Sequence, residues 1–149
     1  GGMGIVGACD IAVASETASF AFTEAKLGLT PAIISLTTLD LMQPRAAARY
    51  YLTGGTFTAL VAAEIGLITE AISSSSIDDH VARLTEEIGE TSPQGAAETK
   101  RLLTGPRRRR IAADGDDLAA LSARLFASEE GQEGIHAFLE RRPPAWRQS

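Results

Sequence analysis

Gly1-Gly2-Met3-Gly4, then Asp10-Ile11-Ala12-Val13-Ala14, then Phe20-Ala21-Phe22-Thr23-Glu24-Ala25-Lys26-Leu27-Gly28-Leu29-Thr30-Pro31 is the run of sequence from which the fold is read. In physical terms it passes from bare backbone amides to a short apolar helix, then a strand, then a loop carrying one carboxylate. A glycine-rich helix start leaves N–H groups unpaired and lets another molecule approach the backbone, an arrangement suited to a developing negative charge. Glu24 follows two aromatic residues and precedes a Lys-Leu-Gly turn. An acid held on an apolar loop is suited to proton transfer near neutrality. Taken alone, Glu24 reads better as a solvated surface carboxylate beside Lys26.

The order and spacing of the motifs add to that reading. Glycine cluster, Ala-Cys-Asp-Ile, Ala-x-Phe and Glu-x-x-Leu-Gly-x-x-Pro, in that order, resemble the enoyl-CoA hydratase/isomerase or crotonase family. The resemblance continues through Leu52-Thr53-Gly54-Gly55, Glu64-Ile65-Gly66-Leu67-Ile68, Glu133 to Phe138 and Glu140-Arg141-Arg142-Pro143, nearly the whole chain. It implies an α/β fold: a crotonase-type ββα spiral of which only the last turn is present, followed by a helical trimerisation region. The implied division is residues 1–72, the end of the spiral with the active-site loop, and residues 73–149, a helical oligomerisation region. On the family pattern Gly1 matches the second oxyanion-hole donor and Glu24 one of two catalytic glutamates. The other glutamate falls where this chain has Gly4. Phe138 and Arg141 match an aromatic and a basic residue that reach coenzyme A bound in a neighbouring subunit, with arginine where lysine is common.

The implied substrate is an acyl-CoA thioester; coenzyme A belongs to the substrate, so no separate cofactor is expected. Hydration of a 2-enoyl thioester divides readily between two carboxylates, whereas a 3-enoyl to 2-enoyl shift needs one. With Gly4 in the second place, an isomerase-like or specialised hydratase activity carries as much weight as simple hydration. The contrasting reading is a non-catalytic acyl-CoA binder or a truncated assembly subunit. A chain opening on Gly-Gly inside a functional helix start reads as the C-terminal part of a longer protein whose upstream half holds the first oxyanion donor. The 149 residues alone are therefore expected to turn over little. Trimers or hexamers are expected of the whole protein.

Composition narrows the alternatives. With 44% hydrophobic and 22% charged residues the chain can bury one sizeable core, and a net charge of −5 argues against nucleic acid as the main partner. A single cysteine, Cys9, excludes an internal disulfide and a multi-cysteine metal site, fitting a reducing cytoplasm; its apolar neighbours predict a packed thiol. No apolar run approaches the ~20 residues that span a bilayer.

Along the chain, Ile11 to Val13 predicts a buried strand and Ala18 to Phe22 a second. Pro31 starts a helix through Ile33, Ile34 and Leu36, where many family members have a glycine-rich turn. Pro44 opens another, closed by Gly54-Gly55, and Thr58 caps a third, stopped by Gly66. Leu67-Ile68 and Ala71-Ile72 suit a short strand. After Ser73-Ser74-Ser75-Ser76 the pattern is helical: Ile77, Val81, Leu84 and Ile88 share one face. A helix from Ser92-Pro93 is expected to end near Gly105-Pro106, a break is expected at Gly131, and Pro143 to Trp146 should be extended.

Three further motifs have weaker readings. Gly2 to Gly7 matches G-x-G-x-x-G, but a dinucleotide site needs a strand immediately before the glycines, and none is visible. Arg107 to Arg110 could chelate phosphate, yet a solvated charge run between helices, offset by Asp114, Asp116 and Asp117, explains it better. His80 and His136 stand apart without ligand-spaced partners, and Ser35 and Ser122 lack the strand-turn-helix elbow of a serine hydrolase. Neither a metal site nor a nucleophilic triad is expected.

Overall fold

A computed structural model describes residues 2–147. The glycine cluster forms a seven-residue helix, α1 (Gly2–Ala8). Strand β1 (Val13–Ser15) starts two residues later than the pattern predicts and is half-buried, because Ile11 lies on the surface before the sheet begins. It pairs in parallel with β4 (Glu70–Ile72), Ala14 facing Ala71. Parallel strands require a long crossover, and the Glu24 turn lies within it. In the crossover come β2 (Ser19–Phe20), a 3-10 turn at Glu24–Leu27, α2 (Ala32–Thr38), α3 (Pro44–Thr53), β3 (Phe57–Thr58) and α4 (Ala59–Glu64). β2 and β3 are antiparallel, Phe20 opposite Phe57.

The local signals act as their chemistry dictates. Pro44 occupies the first turn of α3, where its missing N–H costs nothing, and Gly54 ends the helix with a left-handed φ of 59°. Thr58 Oγ1 accepts from the Val61 N–H, capping α4. The expected second strand stops at Phe20 because Phe22 is drawn into the core. There Phe22, fully buried, packs tilted against the Tyr51 ring at 4.5 Å and stacks at 6.2 Å from Phe57. Met42, Ala47, Tyr50, Ala62, Ile65 and Leu67 complete the cluster. Burial of each large side chain contributes about 1.5–3 kcal/mol.

After a 3-10 turn at Ser74–Ser76 the chain is helical: α5 (Ile77–Gly89), α6 (Pro93–Phe126) and α7 (Glu129–Leu139). Four expectations are corrected here. α6 does not end at Gly105-Pro106; it runs 34 residues through both, which places Arg107 to Arg110 inside a helix rather than in a connection. A proline inside a helix forfeits one hydrogen bond, and on this exposed helix water can satisfy the carbonyl it leaves. α6 is also tied to the rest of the fold by Lys100–Asp10 at 2.7 Å, Arg110–Asp40 at 2.5 Å and the Arg107 guanidinium donating to the Ala8 carbonyl at 3.3 Å.

Gly131 is no break but a buried residue of the first turn of α7. A Cβ there would lie 2.1 Å from the Leu125 carbonyl oxygen, so glycine serves close approach of the two helices. The interruption falls instead at Ala127-Ser128, where Ser128 Oγ accepts from the Gly131 N–H at 3.1 Å. Cys9 is exposed, its thiol donating to the Ile5 carbonyl at the end of α1. The tail closes into a 3-10 turn at Ala145–Arg147, because Glu133 accepts the Ala145 N–H at 2.8 Å. Among the described residues no helix is long and apolar enough to cross a membrane.

Candidate active site

Glu24 opens the 3-10 turn, which ends at Gly28 with φ 68°, its N–H donating back to the Glu24 carbonyl. The turn is gripped from outside by α7, backbone against backbone. A Cβ on Gly28 would sit 2.6 Å from the Glu130 carbonyl oxygen, and one on Gly134 would sit 2.3 Å from that of Leu27. Only glycines let the two chains come this close. The position of Glu24 is thereby fixed by rigid backbone rather than by side-chain contacts.

Glu24 Oε2 is buried, and among the described residues it has no hydrogen-bond partner. A buried oxygen left unpaired costs about 1–3 kcal/mol, so such an atom marks a place where a donor or a proton is to be received. Lys26 does not supply one. Among the described residues no ion pair joins it to Glu24, and its aliphatic stem lies along Gly54.

Behind the turn stands Tyr51, a residue for which the sequence offered no signal. Its hydroxyl lies 2.6 Å from Thr38 Oγ1, and Thr38, fully buried, donates to the Ile34 carbonyl at 2.7 Å. Burial pushes the Tyr51 phenol above its ordinary pKa, and the negative charge of Glu24 adds to the rise. Tyr51 stays un-ionised at neutral pH.

Gly4 lies on α1, its carbonyl accepting from Thr37 Oγ1 at 3.1 Å, which ties α1 to α2. A Cβ at Gly4 would meet nothing within 4 Å. Gly1, expected as an oxyanion donor, lies outside the described residues. Gly2 to Gly7 belong to a helix, not to the loop a dinucleotide site requires. Phe138 and Arg141 sit together at the C-terminal end of α7, Phe138 69% exposed, Arg141 with φ 54° and its N–H donating to the Phe138 carbonyl at 3.2 Å. They are therefore on the surface, beyond the part of α7 that grips the Glu24 turn. Among the described residues no cluster of His, Cys, Asp and Glu could hold a metal ion. His80 is mostly covered and 3.3 Å from Glu70, a contact joining α5 to β4.

The sequence profile of enoyl-CoA hydratase/isomerase matches residues 1–149. The crystal structure of an enoyl-CoA hydratase from Mycobacterium avium superposes with a TM-score of 0.93 at 53% identity, covering 97% of this chain and 57% of that one. A carnitinyl-CoA dehydratase from Mycobacterium avium 104 matches with a TM-score of 0.84 at 30% identity, over all of this chain and 60% of its own. Enoyl-CoA hydratase domain-containing protein 3 of Danio rerio is 34% identical over 149 residues, 97% of this chain and 50% of its own length. The chain spans about half the length of the curated relatives it matches. With its residues matched from end to end and its helices and paired strands superposing on solved members, the chain belongs to the enoyl-CoA hydratase/isomerase family and has the crotonase-type fold.

Proposed function

We propose that the protein carrying this chain hydrates a 2-enoyl-CoA or shifts its double bond, with Glu24 moving the proton. The observation that supports this reading is the buried, unpartnered Glu24 Oε2 on a turn locked by Gly28 and Gly134. In the shift of a 3-enoyl to a 2-enoyl thioester the Glu24 carboxylate takes a proton from the carbon next to the thioester carbonyl. The electron pair moves onto the carbonyl oxygen as an enolate, and the same acid returns the proton two carbons further along. Backbone N–H groups facing that oxygen lower the barrier by several kcal/mol, Gly1 being the donor proposed within this chain.

Hydration asks for a second acid or base to handle water. Gly4 cannot supply it, so within this chain Glu24 serves the shift alone, and hydration draws its second group from another part of the protein. The exposed Phe138 and the neighbouring Arg141 are proposed to meet coenzyme A of an adjacent subunit in a trimer or hexamer. The half-exposed apolar face of α5 at Val81 and Ile88 suits such an assembly, as does Leu139. The proposed place of work is the cytoplasm.

Glu24→Gln in the longest polypeptide that carries this chain tests the reading. The amide keeps size and hydrogen-bonding capacity but carries no proton. Turnover of crotonyl-CoA and of a 3-enoyl-CoA is expected to fall by roughly 10²–10⁴, with acyl-CoA affinity nearly unchanged. Gly4→Glu is expected to raise hydration relative to isomerisation. Wild-type turnover from Glu24→Gln would remove Glu24 from the chemistry and leave a non-catalytic acyl-CoA binder.

A further inference from the structure

The C-terminal end of α2 and one stripe of α3 leave an open groove of about 760 Å3, lined by Leu39, Met42, Pro44, Ala48, Tyr51 and Leu52. Pro44, Ala48 and Tyr51 recur at intervals of four and three, so they share a face of α3. The volume lies within the ~300–1,000 Å3 typical of small-molecule sites, and the lining is mainly apolar. Asp40, at its edge, is engaged by Arg110 at 2.5 Å.

Two observations connect the groove with Glu24. Phe22, two residues before Glu24, packs tilted against the Tyr51 ring at 4.5 Å, and α3 packs directly on the Glu24 turn. Tyr51 therefore belongs to both neighbourhoods: its ring packs on the segment leading into the Glu24 turn, and it lines the groove.

The direction of the hydrogen bonds gives Tyr51 a definite polarity. The Ile34 carbonyl can only accept, so the Thr38 proton points to it; the Thr38 oxygen must then accept from Tyr51. The Tyr51 proton is committed, and its oxygen has only acceptor capacity to offer another molecule. A ligand meeting it gains by presenting a donor. An apolar tail gains nothing there, and a carbonyl would meet the Tyr51 oxygen acceptor to acceptor.

We propose that this groove receives the distal end of the acyl group and that Tyr51 selects acyl groups bearing a hydroxyl there. This rests on the acyl-CoA reading above and extends it to the substrate class.

The test uses non-turned-over ligands: butanoyl-CoA, decanoyl-CoA and a series of saturated acyl-CoAs ending in a hydroxyl, each matched to its unsubstituted counterpart. Dissociation constants are measured on the longest polypeptide that carries the chain. At one length of the series the hydroxyl is expected to tighten binding about tenfold over the plain chain, the scale of one well-made hydrogen bond. Tyr51→Phe should collapse that ratio to about one. Ala48→Trp, at an exposed position on the groove wall, should cut the preference for decanoyl-CoA over butanoyl-CoA by tenfold or more.

Thr38→Val supplies a second check that keeps the ring in place. It frees the Tyr51 proton, so preference should move from a terminal hydroxyl toward a ketone. The proposal is overturned if Tyr51→Phe leaves the hydroxyl ratio intact or if Ala48→Trp leaves the chain-length preference intact. It is also overturned if Ala48→Trp instead breaks the assembly apart, since the groove would then belong to a second copy. These are binding ratios and do not depend on whether Glu24→Gln turns over, so the two readings fail separately.

Discussion

Gly134→Ala disturbs the candidate site without altering any atom of Glu24. The added methyl would lie 2.3 Å from the Leu27 carbonyl oxygen, against an ordinary limit of 3.4 Å, so the seam between α7 and the Glu24 turn must open by about 1.1 Å. Two effects oppose each other. Alanine in place of glycine inside a helix stabilises by about 1 kcal/mol, while a methyl forced against unyielding backbone costs about 1–3 kcal/mol. Gly115→Ala in α6 isolates the first effect, because a Cβ there meets nothing within 4 Å. The difference between the two variants is therefore the wedge alone, centred on about 2 kcal/mol. For a chain of this size that separates their melting temperatures by roughly 4–8 °C, Gly134→Ala the lower. Displacement of the turn by about 1 Å should also lower turnover on the order of 10²-fold. Paired thermal melts of this chain by far-UV circular dichroism, with turnover measured on the same variants of the longest polypeptide that carries it, make the comparison. A Gly134→Ala protein that melts with Gly115→Ala and keeps wild-type turnover would refute the idea that this seam positions Glu24.

Pro106→Ala should stabilise the protein by about 1–3 kcal/mol, since it returns an N–H to the Leu102 carbonyl in the middle of α6; loss of helicity or stability would show that α6 is not continuous there. The tail should respond to acid. The Glu133 carboxyl is held down to about 2, first by its hydrogen bonds from Arg142 and then by the Ala145 N–H. A carboxyl lowered on folding stabilises above its unfolded value near 4.5 and loses that contribution as pH falls toward 2. Emission from Trp146, the chain's one tryptophan, should therefore shift between those pH values in the wild type and not in Glu133→Gln, which cannot titrate. An identical transition in both proteins would acquit Glu133.

The parts of the fold that the sequence made legible are those where one residue carries a local instruction. Gly54 ends α3 and Thr58 caps α4 because left-handed φ and an orphan N–H each admit few residue types. What escaped depends on partners far away in the chain. Gly131 looks like a helix breaker until the Leu125 carbonyl is set against it, and Pro106 looks like a terminus until Asp10, Asp40 and Ala8 are seen holding α6 on either side. The candidate site divides in the same way. Glu24 was marked by its place between two aromatics and a glycine turn. Tyr51 was not, because its pairing with Thr38 spans thirteen residues and two helices, and no spacing rule connects them. Nor could the pattern show that Gly28 and Gly134 face one another's neighbours across 106 residues.

The parallel pairing of β1 with β4 also bears on how the protein comes to be folded. Val13 meets Glu70 only after 57 residues have been looped out, which costs about 3.6 kcal/mol in chain entropy before a ladder three residues long returns anything. So short a ladder cannot close that loop unaided. The packing of α3 and α4 on Phe22 and Phe57 must form with it, and contacts this distant in sequence are slow to find. Glu24 lies inside the loop. The Glu24 turn therefore matures only when the last strand has docked and α7 has closed on it, and during synthesis that waits until Gly134 has left the ribosome.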